Sequence, residues 1–550
     1  MLPLTLLLPL LLLCLLLLRT PGSLKLTPLA PLPALVLVLF PEQWSLPFLL
    51  VGMRLGVDSL GRPLLLLASL LWLAAGIYAR AYLAVAEQRR FGVFWLLTWV
   101  GTAGTVLALD AASFYVFFAG MGLAAYGLIV HTGEARALRA GRVYLVMALL
   151  GEVLILPAIL FLVGPDSVTA LAELPARLAV HPWQPLLTAL VLGGFGIKLG
   201  LLPLHVWLPL AHPAAPTPAS AVLSGVLVKL GLLGWLRLLP LGELALPGWS
   251  VLCLSLGLGG AFYGVVVGLG QQHPKTVLAY SSISQMGLVI ALVGIGLNAP
   301  GAWPQILPVV LLFSLHHGLA KGALFLGQGV LVRGGHWASI ALVLPALALA
   351  GAPLTSGALA KSLYKSIAAH GPEPWVGSLK PLLTLSSAAT TLLLVRFLWL
   401  SWPRQPSTTP VAVGLWLPWL ALVVLSTWLP WWWAASEMPV LSTAAISASA
   451  VQDALPPLLA GILLALLAWR WNWPPRLPEG DILALGQYRP RLPAIGGIPW
   501  PRIPGWEPGS RYLLQPLNQL LGLAERRLRR WSVAGLLFLL IVALLAWLTP

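Results

Sequence analysis

Four lysines set inside apolar runs are the residues of this chain whose type and spacing could do chemistry: Lys198, Lys229, Lys321 and Lys361. An ammonium group in mid-membrane is costly, so such residues face a bundle interior or a water-filled path and mark ion or proton routes. Lysine ionises near 10.4 in water, and desolvation shifts that by as much as about 3 to 5 units, enough to bind and release protons near neutrality. Histidine titrates there without help. His317 and Lys321 are four residues apart and share a helix face. His316 cannot share that face, so it is divided between a structural hydrogen bond and a secondary relay role. A row of these groups bridged by water can pass protons, and movement of a nearby charge can set the occupancy of each. Sodium or potassium would call for carboxylates or unwound carbonyls, and the chain has only 16 Asp and Glu. The competing reading is that each lysine snorkels to an interface; four of them beside two helix breaks argue against it.

Those breaks are the elements that must position the lysines. The stretch from Gly193 to Leu239 carries Lys198 in an apolar helix, then Pro203, Pro209, Pro213, Pro216 and Pro218, then a second apolar helix with Lys229. His205 and His212 lie in this break and have the same two readings as His316. A second break, LPALALAGAPLTSGALAKSLYKS, holds Gly351, Pro353 and Gly357, with Lys361 and Lys365 directly after it. Two Gly/Pro-interrupted spans in corresponding places of two halves point to inverted repeats with sites near the midplane. Glu152, in the apolar run YLVMALLGEVLILPAILFL, is the one convincing intramembrane carboxylate. It could pair with Lys198 or Lys229, make a local interhelix hydrogen bond, or lie nearer the interface. Asp110 is expected to be exposed on the outer side, Arg237 and Arg396 to be span-end or partner-subunit contacts, and Gly196/Gly200 and Gly264/Gly268 to be close helix packing.

Composition sets the class. Of 550 residues 59% are hydrophobic and 9% charged, and mean hydropathy is +0.92. The expected fold is all-α: a polytopic membrane protein of about 14–16 transmembrane helices, with two inverted repeats each containing a broken helix. We divide it into N-terminal helices (1–90), a first repeat (91–240), a second repeat (241–402), additional helices (403–471), a Pro-rich segment with an amphipathic interfacial helix (472–531) and a last span (532–550). The spans include 2–18, 28–40, 184–204, 219–240, 304–332 and 338–369. The net charge of +16 sits in short loops, where it reads as topology and not as a nucleic-acid surface. Loops leaving odd-numbered spans hold Arg89, Arg90, Arg136, Arg139 and Lys275; those leaving even-numbered spans hold Asp166, Glu173, Glu373 and Asp453, with Arg54, Arg62, Arg177 and Lys380 as basic exceptions. That pattern places both termini on the outer side of the plasma (inner) membrane. Cys14 and Cys253 read as small core residues. No Rossmann fingerprint, P-loop or CxxC pair occurs, so the chain is expected to carry no cofactor, no metal and no catalytic or redox site of its own.

Four segments carry a resemblance: KLGLLPLHVWLPLAHPAAPTPASAVLSGVLVKLG, KTVLAYSSISQMG at 275–287, HHGLAKGALFLG at 316–327 and LAGAPLTSGALAKS at 349–362. The chain resembles the antiporter-like proton-channel subunits of respiratory complex I, energy-converting hydrogenases and formate hydrogenlyase, and Mrp-type cation/proton antiporters, over about residues 50–400. The resemblance implies that Lys198 is the central lysine of the first broken helix and Lys229 that of the next span. It makes His317 and Lys321 the connection toward the second half-channel, and Lys361 its exit-side lysine. It also implies a fifth-span glutamate paired with the first lysine; in the matching stretch FYVFFAGMGLAAY, Ala119 stands there instead. The expected partners are other membrane subunits, the bilayer and protons, and Na+ is left open as a second cargo. Four roles stay open: a redox-coupled pump module of complex I or hydrogenase type, an Mrp-type antiporter subunit, a proton-conducting partner of a soluble zinc protein in inorganic-carbon uptake, and a non-conducting scaffold. Any NADH-quinone oxidoreductase or hydrogenase label would come from the complex.

Overall fold

The computed structural model describes residues 1–50, 52–164, 170–402, 410–470 and 477–478. The expected amphipathic helix and last span lie outside these residues. Among the described residues, 11 helices are long and apolar enough to cross a membrane, and four shorter apolar helices (Leu2–Leu17, Ser23–Leu39, Gln184–Leu199 and His336–Ala350) accompany them. The protein is an all-α polytopic membrane protein.

Burial sorts the helices. Thr217–Leu238, Pro274–Asn298 and Pro300–Val332 are 100% buried over their apolar windows, against 28% for Ala135–Val163 and 11% for Ala448–Ala468. A membrane helix that carries an ammonium group needs protein around it to keep that charge from lipid, and these central three carry Lys229, Lys275 and Lys321. At 25 residues, Pro274–Asn298 is about 37 Å long, enough to cross a hydrocarbon core of about 30 Å. Its backbone touches Pro247–Leu269 at Gly257, Gly264 and Gly287, the small-residue contact expected of Gly264.

Helical backbone runs from Trp303 to Ala350, 48 residues, yet it is not one rod. Leu342 fills the space beside Gly327, and the Trp337 ring meets Trp419, whose Nε1 donates to the Ala323 carbonyl. Residues 14 or 15 apart in a straight helix would be separated by about 21 Å. The chain therefore doubles back near 332–336, between the two spans that the sequence separates at the same place.

One end of the bundle is tied by a hairpin. Gln43–Leu46 pairs antiparallel with Met53–Gly56, and bridges continue from Leu55 to Ala108 and from Asp110 to Ala170. Asp110 is not exposed as expected: it is 3% accessible. Its carboxylate accepts from Ser113 N, capping the Ala111–Ile129 helix, and from Arg54 N, each at 2.8 Å. Two backbone donors and a helix N-terminus make burial of that charge tolerable. Arg237, expected as a span-end or partner contact, pairs within the chain through both terminal nitrogens with Asp58. Cys253 is buried as expected, but Cys14 is exposed, because its helix presents that face outward.

Candidate proton-relay site

Both helix breaks are built by the same backbone motif. Gln184–Leu199 ends at Gly200 (φ 87°) and His336–Ala350 at Gly351 (φ 88°). In each, the glycine N–H bonds the carbonyl three residues back and the following N–H bonds the carbonyl five back: Gly200 to Ile197 and Leu201 to Gly196, Gly351 to Ala348 and Ala352 to Leu347. This is a Schellman ending, which needs the left-handed conformation that glycine adopts at low cost. Gly200 thus serves the helix end more than the helix packing expected of it.

Lys198 lies in the last turn before the first break and is 6% exposed. Its Nζ donates to the Tyr144 hydroxyl at 3.0 Å, which donates to the Gly122 carbonyl at 2.8 Å. The amine also lies 5.1 Å from the Tyr144 ring centre and 5.7 Å from that of Phe118, within cation–π reach. Glu152 comes to this lysine and not to Lys229. A methyl built on Gly122 would sit 3.4 Å from Lys198 Nζ and 3.9 Å from Glu152 Oε1, so amine and carboxylate converge on one spot. Gly122 is one turn past Ala119. Glu152 Oε2 is buried with no hydrogen-bond partner. The space of about 10 Å³ between Phe118, Tyr144, Glu152, Lys198 and Trp207 has room for about one water.

The centre is held by Lys229 and His317, both fully buried. Lys229 Nζ lies 2.7 Å from His317 Nδ1 and donates to the Ser224 carbonyl at 2.8 Å. That carbonyl is within reach because Leu223–Leu227 is a π-helical turn, which frees a backbone acceptor from the regular ladder. The Ser224 and Ser282 hydroxyls meet at 2.8 Å, and Ser282 donates to Leu278 O at 3.1 Å. Lys321 donates to that same carbonyl at 2.7 Å and to the Ser281 hydroxyl. None of Lys198, Lys229 and Lys321 snorkels. His316 turns the other way and bonds Ser356, the first residue of the helix after the second break, at 2.8 Å.

Lys361 reaches back across its break to donate to the Ala350 carbonyl at 2.6 Å. It is part-exposed to a cavity of about 280 Å³ lined also by Lys365, Lys380, Asp453 and three serines. This cavity lies toward the hairpin end, near His370, whose carbonyl accepts from Asn298 at the end of the Pro274–Asn298 helix. A second vestibule, about 360 Å³, opens at the other end between His131, Glu134, Arg136, Pro213, Pro216 and Lys275. Outside the spans there, burial, helped by Arg136, holds His273 down to about 4, and burial with Arg90 lowers His131. Next to Pro213 sits His212, wholly buried between Trp207 and Phe325, with both ring nitrogens lacking hydrogen-bond partners. The structural hydrogen bond expected of His212 is therefore missing. The charges that act on it are Lys321, Lys275 and Lys229. His205 packs edge-on against Tyr263, and Lys365 is half-buried and faces Asp453. Sequence reasoning missed Tyr144, Ser224, Ser282 and Ser356; only Tyr144 leaves a trace, two turns before Glu152 in one helix.

A family profile described as the membrane region of NADH:quinone oxidoreductase and Mrp antiporter subunits matches residues 108–371. Residues 108–371 carry the membrane domain of this antiporter-like family. Hydrogenase-4 component B of Escherichia coli (strain K12) is 31% identical over 342 residues, 57% of this chain and 51% of that protein. A putative antiporter subunit mnhA2 of Staphylococcus saprophyticus is 30% identical over 339 residues, 56% of this chain and 42% of that protein. The chain thus matches about half the length of these curated relatives. In fold it is similar to a chain of the Mrp complex from Dietzia sp. DQ12-45-1b (TM-score 0.64, 21% identity, 84% of this chain and 95% of that one). It is also similar to a chain of an archaeal membrane-bound sulfane sulfur reductase (TM-score 0.67, 18% identity, 82% and 99%).

Proposed function

We propose that the protein is a proton-translocating subunit of a multisubunit membrane complex. The observation that carries this reading is the fully buried Lys229–His317 pair, two bases 2.7 Å apart. With lysine as the donor, imidazole Nδ1 accepts, so the pair holds a proton that either partner can carry. Around it the other groups form a sequence: the vestibule, His212, the central Lys229, His317 and Lys321, and Lys361 at a cavity toward the opposite end. The two inverted repeats expected from the sequence would each contribute one broken helix to that path. Basic loops at the vestibule end make it the cytoplasmic side of the plasma membrane and put the N-terminus outside.

Lys198 and Glu152 form the controlling pair in this reading. Glu152 comes from the Ala135–Val163 helix and fills the role of the carboxylate absent at Ala119. A carboxylate that approaches Lys198 holds its proton; one that withdraws releases it. The drive is redox coupling within a complex of hydrogenase or complex I type, a reading supported by the similarity to hydrogenase-4 component B. The likeness to mnhA2 and to a chain of the Mrp complex favours a second reading, an antiporter subunit that couples protons to Na+.

The test is proton flux in sealed vesicles holding the full chain in its complex. Lys229→Ala is expected to lower flux by roughly 10²-fold or more, as for loss of a positioned acid–base group. Flux equal to the parent in both Lys229→Ala and Lys198→Ala overturns the reading.

A further inference from the structure

We propose that His316 is a proton-relay residue that joins the central Lys229–His317 pair to Lys361 through the Ser356 hydroxyl. The inference deepens the proton-translocating reading and rests on it. It starts from how the amines are engaged. Lys321 is held by Leu278 O and Ser281 on the Pro274–Asn298 helix, which directs it toward the vestibule side of the cluster. Lys361 lies on the far side, its amine on Ala350 O. The group between them is His316, 1% exposed and adjacent in the chain to His317. Lys361 and Lys229 are both within electrostatic reach of it.

The contact with the broken helix is intimate. Gly357, one turn before Lys361, has no side chain, and a Cβ there would stand 3.1 Å from His316 Cε1 and 1.8 Å from the Ala348 carbonyl oxygen. Only glycine lets the imidazole and the end of the preceding helix close on that first turn. Ser356 donates to the Ser426 carbonyl at 2.7 Å, so its oxygen is left to accept from His316 Nδ1–H at 2.8 Å. This arrangement balances a transfer. A proton reaching Nε2 makes the imidazolium, and Nδ1–H passes to the serine oxygen. The serine's own proton swings from Ser426 O to the neutral amine of Lys361, directly or over one water. One proton enters, one leaves, and rotation of the hydroxyl and ring restores the start.

A structural role would be to pin the broken helix, and an amide can do that equally well. The experiment compares His316→Asn, Ser356→Ala and Lys229→Ala with the parent chain in its complex, using vesicle proton flux and its pH profile, with assembly checked by size exclusion. His316→Asn should assemble and lose roughly 10²-fold in flux, Ser356→Ala a smaller factor, and both should flatten the pH profile below neutrality. His316→Asn flux within about twofold of the parent, with Lys229→Ala inactive, overturns this inference and leaves the wider reading standing. Parental flux in Lys229→Ala as well overturns both. If His316→Asn fails to assemble, Ser356→Ala decides alone, since it keeps the imidazole: an unchanged flux and pH profile rejects the relay.

Discussion

The two helix breaks share a backbone motif and differ in what surrounds the lysine. At the first, carbonyl Ile197 is taken by Trp207 Nε1 at 2.8 Å, so Lys198 is left to face Tyr144 and Glu152 across about 10 Å³. At the second, Lys361 itself caps the helix end and looks into about 280 Å³ shared with two more lysines and one aspartate. A cramped site with one unpartnered carboxylate oxygen suits control, because a small movement changes the charge balance there. A roomy, cation-rich site suits exchange with water. The same fold element thus supports two tasks, and the difference lies in the side chains that complete each helix end.

The largest expected effect sharpens that contrast. Glu152→Gln should cut coupled proton flux by roughly 10²-fold, whereas Asp453→Asn in the roomy cavity should cost far less than that. Equal losses in vesicle flux would dissolve the distinction. A middle-sized effect tests the shared motif: Gly200→Ala and Gly351→Ala should each destabilise the protein by about 1–2 kcal/mol, the cost of a left-handed non-glycine residue. Detergent unfolding titrations that give clearly unequal losses would mean the two endings are not equivalent. The smallest effect lies outside both breaks. His273 accepts from Lys275 N at 3.2 Å and is held down to about 4 by burial, so its neutral form is favoured on folding. Its contribution is complete above the ordinary histidine value near 6.5 and is lost as pH falls toward 4. Amide exchange at 275–278 should accelerate across that window; protection that is flat with pH would show that His273 does not cap this helix.

The membrane class, the helix breaks and the lysines on them were readable because charge in an apolar run and glycine or proline in a span are signals local to the chain. Pairings were not. Glu152 and Lys198 stand on different helices, and which face each presents depends on how those helices pack, so the sequence left Glu152 open between two lysines. Asp110 misled for a related reason: a short loop between spans reads as outer surface, and only the hairpin bringing Arg54 N against it makes the burial possible. His212 and His316 show the limit from the other side, since the residue type is visible while the presence or lack of a hydrogen-bond partner is a property of the assembled bundle.

The hairpin also bears on how the bundle can move. Asp110 and His131 flank the same helix, Ala111–Ile129, so the β-strands stitch the mouth where Asp58 grips Arg237, while the opposite mouth has no such seam among the described residues. At the opposite mouth the ties run through side chains, Arg90 to the His131 carbonyl and Lys275 to the Ala215 carbonyl, so a push at that rim would reach the amines lodged halfway down as a tilt of single helices.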